Sequence, residues 1–407
     1  MPEWSVVELT DKVRTFGCFV SLPSLEQGAL NAGAPLAGVV VVELGQSVAA
    51  PFAGQLLADL GAQVIKVEKP AGDDARKWGP PFLDGAAATF QALNRGKRSV
   101  VCDLRDPAQR DALADFIAAR ADVVLQNMRP GQVEELEIGA SALRERKPSL
   151  VYCNLGAFGR HGPLAGRPGY DPLMQAFGGI MSITGEAGRP PVRVGPSIVD
   201  IGTGLWCVVG VLLALYRRAE SGIGGVVDVS LFETAAAWMA PFALQYLASG
   251  SVPGRNGSGQ AGIVPYRAYR TADGDLVVAA GNDALFEKLC AAVGQRAWAG
   301  DDRFATNPDR VANAAELDAL LEPVMLTRTT RDWTQAFDDA GVPSAPVQDV
   351  EQLLAHEQIA ALGMLQQLSG LSQPVLGPAL SLDDERPLAR LAPPRLGEAT
   401  LEQLLAG

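Results

Sequence analysis

The chain has 407 residues, of which 48% are hydrophobic and 20% are charged. This composition is typical of a globular protein with a large and a smaller unit, or with two comparable domains, and it excludes a disordered or fibrous chain. The formal net charge of -12 argues against nucleic acid or an anionic membrane as a partner, because the summed field repels polyanions.

The five cysteines and the N-terminus predict a cytoplasmic protein. The cysteines are scattered, without a CxxC pair or metal-ligand spacing, which fits a reducing compartment. The N-terminus carries acidic residues early and lacks the pattern of a secretory leader. The apolar run 205–216 is roughly a dozen residues, against the ~20 that span a bilayer, so we expect a buried core helix and no membrane segment.

The first half of the chain predicts a doubly wound α/β domain. Residues 1–35 are weakly patterned and end in a Gly/Ala/Pro-rich stretch, which predicts an N-terminal extension. Val-rich strands then alternate with helices, a pattern typical of a parallel sheet covered on both faces. The predicted elements are a strand at 39–43, a helix opening at Pro51, strands at 63–68 and 98–104, a helix over 107–121, a strand at 122–127, a helix through the 130s and 140s, and a strand at 150–155.

The second half changes style and predicts a smaller α+β domain. A long helix should run from Asp200 to about residue 220, followed by a strand and one helix within 226–247. The loop 249–262, rich in Gly, Ser and Asn, is either a linker or a mobile lid. A hairpin turning at 273–274 comes next, then helices to about 341 and a strand at 344–349. The predicted domains are an extension (1–35), the first part of the large domain (36–224), the small domain (225–330), and a segment that returns to the large domain (331–407).

Basic residues recur just after predicted strands. Lys69, Arg105 and Arg129 each follow one, and ligands of open α/β sheets bind beyond the carboxyl ends of the strands. Each side chain taken singly is by default a solvated surface charge. Their shared position favours a site for phosphate groups. The first strand-to-helix turn has small residues but lacks GxGxxG, which argues against a nicotinamide dinucleotide.

The catalytic candidates narrow to carboxylates. His161 and His356 are the only histidines, and neither lies in a triad-like or HExxH motif, so a hydrolase triad and metal catalysis are disfavoured. Asp200 precedes a helix whose first turn is small. A catalytic carboxylate and a simple N-cap both fit that local pattern.

Several separated motifs occur in one order: LAGVVVVELGQSVAAPFAG, NRGKRSVVCDL, LQNMRPGQVEELEIG, GRPGYD and PSIVDIGTG. This set resembles the class III CoA-transferase family of CaiB/BaiF type, also called the formyl-CoA transferase and carnitine CoA-transferase family. The resemblance begins near residue 36 and continues to about residue 364. It implies a large doubly wound domain built from both chain ends, a small domain between them, and an interlocked homodimer with the active site between domains at the dimer interface.

The resemblance also implies site residues. The nucleophile would be Asp200, kept ionised by its helix N-terminus, with Gly202 and Gly204 leaving room for an acyl group. The residues implied to bind coenzyme A as acyl-CoA co-substrate are Gln46, Val48, Ala49, Lys69, Leu104, Arg105, Asn127, Met128, Arg129 and Tyr170. Gly259 lies in the loop 254–262, which resembles the family's mobile flap over the substrate. Glu135 stands where some members carry an arginine that contacts CoA phosphate, so Arg129 is the expected substitute.

These features predict a CoA-transferase that moves CoA from succinyl-CoA to a small dicarboxylate, without metal, through an aspartyl anhydride and an aspartyl-CoA thioester. Arg193 is either the partner of a distal substrate carboxylate or a surface charge.

Two alternative functions remain. An α-methylacyl-CoA racemase would use a histidine in a GHD motif, but this chain has Tyr170, whose ordinary pKa of about 10 makes it a poor base. A non-catalytic CoA-binding protein would not need Asp200.

Overall fold

The computed structural model describes residues 34–387 and 391–406. The predicted extension, 1–35, lies outside them apart from its last two residues. The chain forms two compact units. The first comprises residues up to 154, 207–227 and 360–407, and the second comprises 155–206 and 228–359.

The strands are short and fall into one large and three small sheets. In chain order they are β1 (Val40–Leu44), β2 (Gln63–Glu68), β3 (Phe82–Leu83), β4 (Ala86–Ala87), β5 (Lys97–Val101), β6 (Val123–Gln126), β7 (Val151–Gly156), β8 (Val226–Ser230), β9 (Tyr266–Arg270), β10 (Asp275–Ala279), β11 (Ser344–Pro346), β12 (Leu365–Gln366) and β13 (Val375–Leu376).

The helices alternate with the strands in the first half and dominate the second. In chain order they are α1 (Ala49–Asp59), α2 (Ala88–Leu93), α3 (Pro107–Arg120), α4 (Gln132–Glu135), α5 (Ala140–Arg146), α6 (Asp171–Phe177), α7 (Ile180–Ile183), α8 (Ile198–Ser221), α9 (Leu231–Trp238), α10 (Ala240–Ser249), α11 (Asp283–Ala292), α12 (Asn307–Ala312), α13 (Ala314–Met325), α14 (Thr330–Ala340), α15 (Val350–Ala355), α16 (Glu357–Ala361) and α17 (Leu401–Ala406). Two 3-10 helices, Asp74–Lys77 and Arg296–Gly300, complete the set.

The large sheet has six strands in the order β5-β2-β1-β6-β7-β8. The neighbouring pairs from β5 to β7 are parallel, which confirms the predicted α/β class with a large parallel sheet. All five residues of β1 are buried, so both faces of the sheet are covered. On one face Val42 and Val124 share a core with Leu113 and Phe116 of α3. Helix α1 also packs against β1 and β2.

The C-terminal segment from residue 360 groups with this sheet in the first unit, whereas residues 331–359 group with the second unit. The Ala399 backbone N–H donates to the Ser99 carbonyl oxygen at 3.1 Å, and Ala399 forms a parallel bridge with Val100. The predicted domain boundaries, between residues 224 and 225 and between residues 330 and 331, remain predictions. The compact units divide the chain differently, since residues 155–206 group with the second unit.

The second unit has its own small sheet and its own core. Strands β9, β10 and β11 form an antiparallel sheet, and the β9–β10 hairpin turns over residues 271–274 as predicted. Phe286, Trp333 and Phe337 pack in the core beside this sheet. The single helix predicted within 226–247 is two helices, α9 and α10, with Pro241 in the first turn of the second, where a missing N–H is tolerated.

Helix α8, Ile198–Ser221, is close to the long helix predicted from Asp200 to about residue 220, and it extends beyond the apolar run 205–216. Its 24 residues are apolar and numerous enough to cross a membrane, by length and composition alone, and a core helix of a soluble protein meets the same criterion. Val199, Cys207 and Val211 along it are fully buried. The absence of a membrane span remains a prediction.

Candidate active site

Asp200 lies inside the first turn of α8, not before it. The predicted helix start at this residue is wrong by two positions, because the helix begins at Ile198 and Asp200 is its third residue. The side chain therefore does not act as the N-cap. Burial, with the nearby Asp171 carboxylate as the second cause, raises the pKa of Asp200 to about 7. Within residues 34–387 and 391–406, no group donates a hydrogen bond to its carboxylate.

A second carboxylate, Asp171, satisfies the start of α8. Its Oδ2 accepts hydrogen bonds from the backbone N–H groups of Val199 at 2.8 Å and Asp200 at 3.2 Å. These are among the N–H groups that a helix start leaves without an intrahelical partner. The Asp171 side chain comes from the first residue of α6 and is only 2% exposed as a residue. An acid outside α8 thus holds the backbone of the candidate nucleophile.

Gln175 extends this hydrogen-bond chain by one link. Its Nε2 donates to Asp171 Oδ1 at 2.6 Å, and its Oε1 accepts from the Val194 backbone N–H at 2.8 Å. Asp171 and Gln175 lie four residues apart and face the same side of α6. The segment that leads into α8 is therefore tied to α6 at Val194, Val199 and Asp200.

Close packing with α9 explains the small residue Gly202. A Cβ built there would lie 2.2 Å from the Trp238 ring and 3.1 Å from the Thr234 methyl carbon. Thr203 Oγ1 donates to Thr234 Oγ1 at 2.8 Å. The room that we expected Gly202 to leave for an acyl group is occupied by the indole of Trp238, which corrects that expectation.

The other predicted residues of the second unit lie at its surface. Tyr170 is 64% exposed. The Arg193 guanidinium is exposed and Nη1 donates to the Val194 and Gly195 carbonyl oxygens at 3.1 and 2.5 Å. Gly259 lies in a loop whose Ser258 hydroxyl accepts from the Ala268 N–H of β9 at 3.0 Å. The roles of these three residues stay predictions.

In the first unit the predicted CoA residues lie along one edge of the sheet. Each group follows the carboxyl end of a parallel strand, and neighbouring strands of a parallel sheet end at the same edge. In strand order the groups are Leu104 and Arg105 after β5, Lys69 after β2, Gln46, Val48 and Ala49 after β1, and Asn127, Met128 and Arg129 after β6.

Two of these groups are directly bonded to each other. The Gln46 N–H donates to Asn127 Oδ1 at 3.0 Å, and Asn127 Nδ2 donates to the Gln46 carbonyl oxygen at 2.8 Å. Lys69 and Arg105, by contrast, pair with carboxylates, at 2.7 Å from Asp74 and 2.8 Å from Asp103, and are solvent-accessible. Arg129 is exposed. The structure fixes the turn after β1 and leaves the cations at the surface.

A buried ionic cluster supports that turn, and sequence reasoning missed it. Lys66 Nζ lies 2.9 Å from both Glu43 Oε1 and Asp73 Oδ2, and it donates to the Gly45 carbonyl oxygen at 2.9 Å. Asp73 Oδ1 accepts from the Ser47 N–H at 3.2 Å, and Ser47 has a positive φ of 72°. Charged residues inside the Val-rich strands β1 and β2 were the available signal.

No cluster of three or more metal-ligating side chains occurs among the described residues. Cys102, Cys153, Cys207 and Cys290 are buried, and Cys153 Sγ lies 3.2 Å from Cys207 Sγ.

Comparison with known proteins decides the family. The family model of CoA-transferase family III matches residues 36–400. The chain belongs to CoA-transferase family III. It is 39% identical to the succinate–glutarate CoA-transferase of Agrobacterium fabrum, over 90% of this chain and 94% of the relative. It is 33% identical to the succinyl-CoA:glutarate CoA-transferase of Homo sapiens, over 92% and 86%.

A solved structure of the CaiB/BaiF family has a similar fold. The crystal structure of a CaiB/BaiF family protein from Brucella suis superposes with a TM-score of 0.82 at 41% identity, over 90% of this chain and 97% of that one. The predicted family and enzyme class, a CoA-transferase, are confirmed. The racemase and binding-only alternatives are not supported, because the curated relatives are named as CoA-transferases.

Proposed function

We propose that this transferase moves CoA from succinyl-CoA to a small dicarboxylate and that Asp200 is the nucleophile. The observation that carries the proposal is the setting of the Asp200 carboxylate: partly buried, without a hydrogen-bond donor among the described residues, and with its pKa raised to about 7. Such a carboxylate is more basic than an ordinary one and is still substantially ionised near neutral pH. The relatives named for succinate, succinyl-CoA and glutarate support the substrate class.

The chemistry needs no net proton transfer. Asp200 attacks the thioester carbonyl carbon of succinyl-CoA, the C–S bond breaks, and CoA thiolate leaves a mixed anhydride behind. The thiolate attacks the aspartyl carbonyl carbon, the anhydride C–O bond breaks, and succinate departs from an aspartyl-CoA thioester. The acceptor carboxylate then repeats the two steps in reverse order, which forms its own CoA thioester and regenerates Asp200.

The first unit supplies the proposed binding surface for CoA. The fixed turn at Gln46–Ala49 offers backbone groups, and Lys69, Arg105 and Arg129 offer positive charge for phosphate. Local cations are needed because the chain carries a net charge of -12.

Covalent trapping tests the role of Asp200. Hydroxylamine added during turnover with succinyl-CoA should convert Asp200 to a hydroxamate, which peptide mass spectrometry would locate. Asp200→Asn should lose the adduct and at least about 10³-fold in kcat, the scale of losing a covalent nucleophile. The matched control is Asp332→Asn, because Asp332 is the third residue of α14 as Asp200 is of α8. Turnover without any adduct at Asp200 would refute the proposal.

Kinetics with two donors test the substrate class. We propose that Arg193 meets the distal carboxylate of the dicarboxylate, since its guanidinium is exposed and uses only Nη1 within the described chain. Arg193→Gln should raise KM for succinyl-CoA about tenfold and leave KM for acetyl-CoA unchanged, as expected for one lost charge-assisted contact. Arg189→Gln, an exposed neighbour, is the control. An equal effect on both donors would argue for a general structural role.

We also propose that the transferase is a cytoplasmic homodimer. Helix α8 exposes the apolar side chains Leu205, Trp206, Val209, Leu213 and Tyr216, a pattern that marks an interaction surface on a soluble protein. Light scattering after size-exclusion chromatography should give twice the chain mass of 42.7 kDa. A monomer across the working concentration range would contradict it.

A further inference from the structure

The backbone N–H of Asp200 has a hydrogen-bond partner among the described residues, whereas its side-chain carboxylate has no donor among them. Its N–H is bound by Asp171 Oδ2 at 3.2 Å, while no described residue donates to its carboxylate. Another helix shows the usual alternative. Asp309 is the third residue of α12, and its carboxylate turns back to accept from the Thr306 N–H at 3.2 Å in a capping box. The Asp200 carboxylate makes no such capping bond.

We propose that Asp171 is a positioning residue for the transfer reaction: its buried carboxylate fixes the start of α8 and sets the reactivity of the Asp200 carboxylate. This inference rests on the proposed role of Asp200. Three observations carry it. Asp171 holds two consecutive N–H groups of the first turn, it is almost fully buried, and Gln175 fixes its orientation at 2.6 Å.

The charge of Asp171 has a chemical consequence. It is the one charged group that acts on the Asp200 carboxyl among the described residues, and it opposes ionisation. The neighbours that α9 places against this turn, Thr234 and Trp238, are uncharged. Removing the charge should lower the pKa of Asp200, because the repulsion is gone while the burial remains. A less basic carboxylate is a weaker nucleophile toward the thioester.

The first variant is Asp171→Asn, which keeps the shape and removes the charge. We expect kcat to fall about 10- to 100-fold with KM for succinyl-CoA within about threefold, because the loss is in the chemical step. The low-pH midpoint of kcat/KM should move to lower pH than in the wild type. A residue that only stabilises the fold would leave the midpoint unchanged.

The second variant tests the hydrogen-bond chain by moving its carboxylate from position 171 to position 175. In Asp171→Asn the new amide has to donate toward Gln175, whose own Nε2 already points there, so the chain of bonds is broken. Adding Gln175→Glu restores an acceptor at that point and still accepts from Val194 N–H. We expect the double variant to recover at least about fivefold in kcat over Asp171→Asn. Gln175→Glu alone places two carboxylates face to face and should be the weaker single variant in stability.

The outcomes are distinct. An unchanged kcat and pH midpoint in folded Asp171→Asn, or a loss that only follows the folded fraction measured by circular dichroism, would overturn the inference. Hydroxylamine trapping of the wild type is run in parallel. If the wild type gives an adduct at Asp200 but Asp171→Asn keeps the wild-type kcat and pH midpoint, only this inference is refuted. If the active wild type gives no adduct, the proposed function is refuted.

Discussion

Two groups of buried or partly buried carboxylates in this molecule have different electrostatic environments. In the first unit Glu43 and Asp73 both lie 2.9 Å from Lys66 Nζ, and Glu43 Oε2 lies 2.8 Å from Lys97 Nζ, so two carboxylates are matched by two buried cations. In the second unit Asp171 is met by neutral N–H groups, and Asp200 has Asp171 as its charged neighbour. The compensated charges support the turn that we propose to bind CoA, and the uncompensated charge lies beside the proposed nucleophile.

The direction of the pKa shifts follows this difference. Burial lowers the pKa of Lys66, but Glu43 and Asp73 outweigh burial and the result is a raised pKa, so the cation is retained. Burial and Asp171 both raise the pKa of Asp200, and nothing nearby opposes them. Variants that remove one member of each group should therefore change stability in opposite directions.

The largest expected effect is the loss of Lys66. Lys66→Met should lower the free energy of unfolding by about 3–5 kcal/mol, because Asp73 would remain buried without its cation and Glu43 would keep only Lys97, whose Nζ lies 2.8 Å from Glu43 Oε2. Denaturant unfolding measures it. Lys69→Met is the control, since its pair with Asp74 is exposed and should contribute about 0–1 kcal/mol. Equal losses in the two variants would show that the buried cluster does not stabilise the fold more than an exposed ion pair.

Removing the charge of Asp200 should stabilise the protein, in contrast to the loss of Lys66. Asp200→Asn should raise the free energy of unfolding at pH 8 by on the order of 1–3 kcal/mol, since a pKa raised to about 7 means that the folded state disfavours the charge, and solvent screening reduces the full value. Below about pH 4 the carboxyl is protonated in both states and the gain should vanish. It should grow as pH rises from about 4 to 7 and stay constant above. A gain independent of pH would contradict the assigned charge setting.

Sequence patterns predicted the parallel sheet and the candidate nucleophile because those features depend on local periodicity and ordered motifs. β1 and β2 are runs of β-branched residues, and Asp200 stands in a motif of small residues. The role of Asp171 was not predicted, since its partners are 28 and 29 residues away and are backbone groups. The wrong start of α8 has the same origin: the donors that a local N-cap would bind are bound by a distant acid.

The smallest expected effect is a rise in KM for acyl-CoA when the buried ionic cluster around Lys66 loses Asp73. Asp73→Asn removes one charge from the pair with Lys66 and weakens the bond that Asp73 makes to the Ser47 N–H, in a turn where Ser47 adopts a positive φ. A bond of this kind is worth about 1 kcal/mol, so KM for acyl-CoA should rise about fivefold. The kcat value should stay within about twofold, because the turn is proposed to bind CoA and not to react. Initial rates over a range of succinyl-CoA measure both constants, and Asp111→Asn, at an exposed position of α3, is the control. A fall in kcat with KM unchanged would place the cluster in the chemical step, and the division between a supporting and a reacting set of carboxylates would no longer hold.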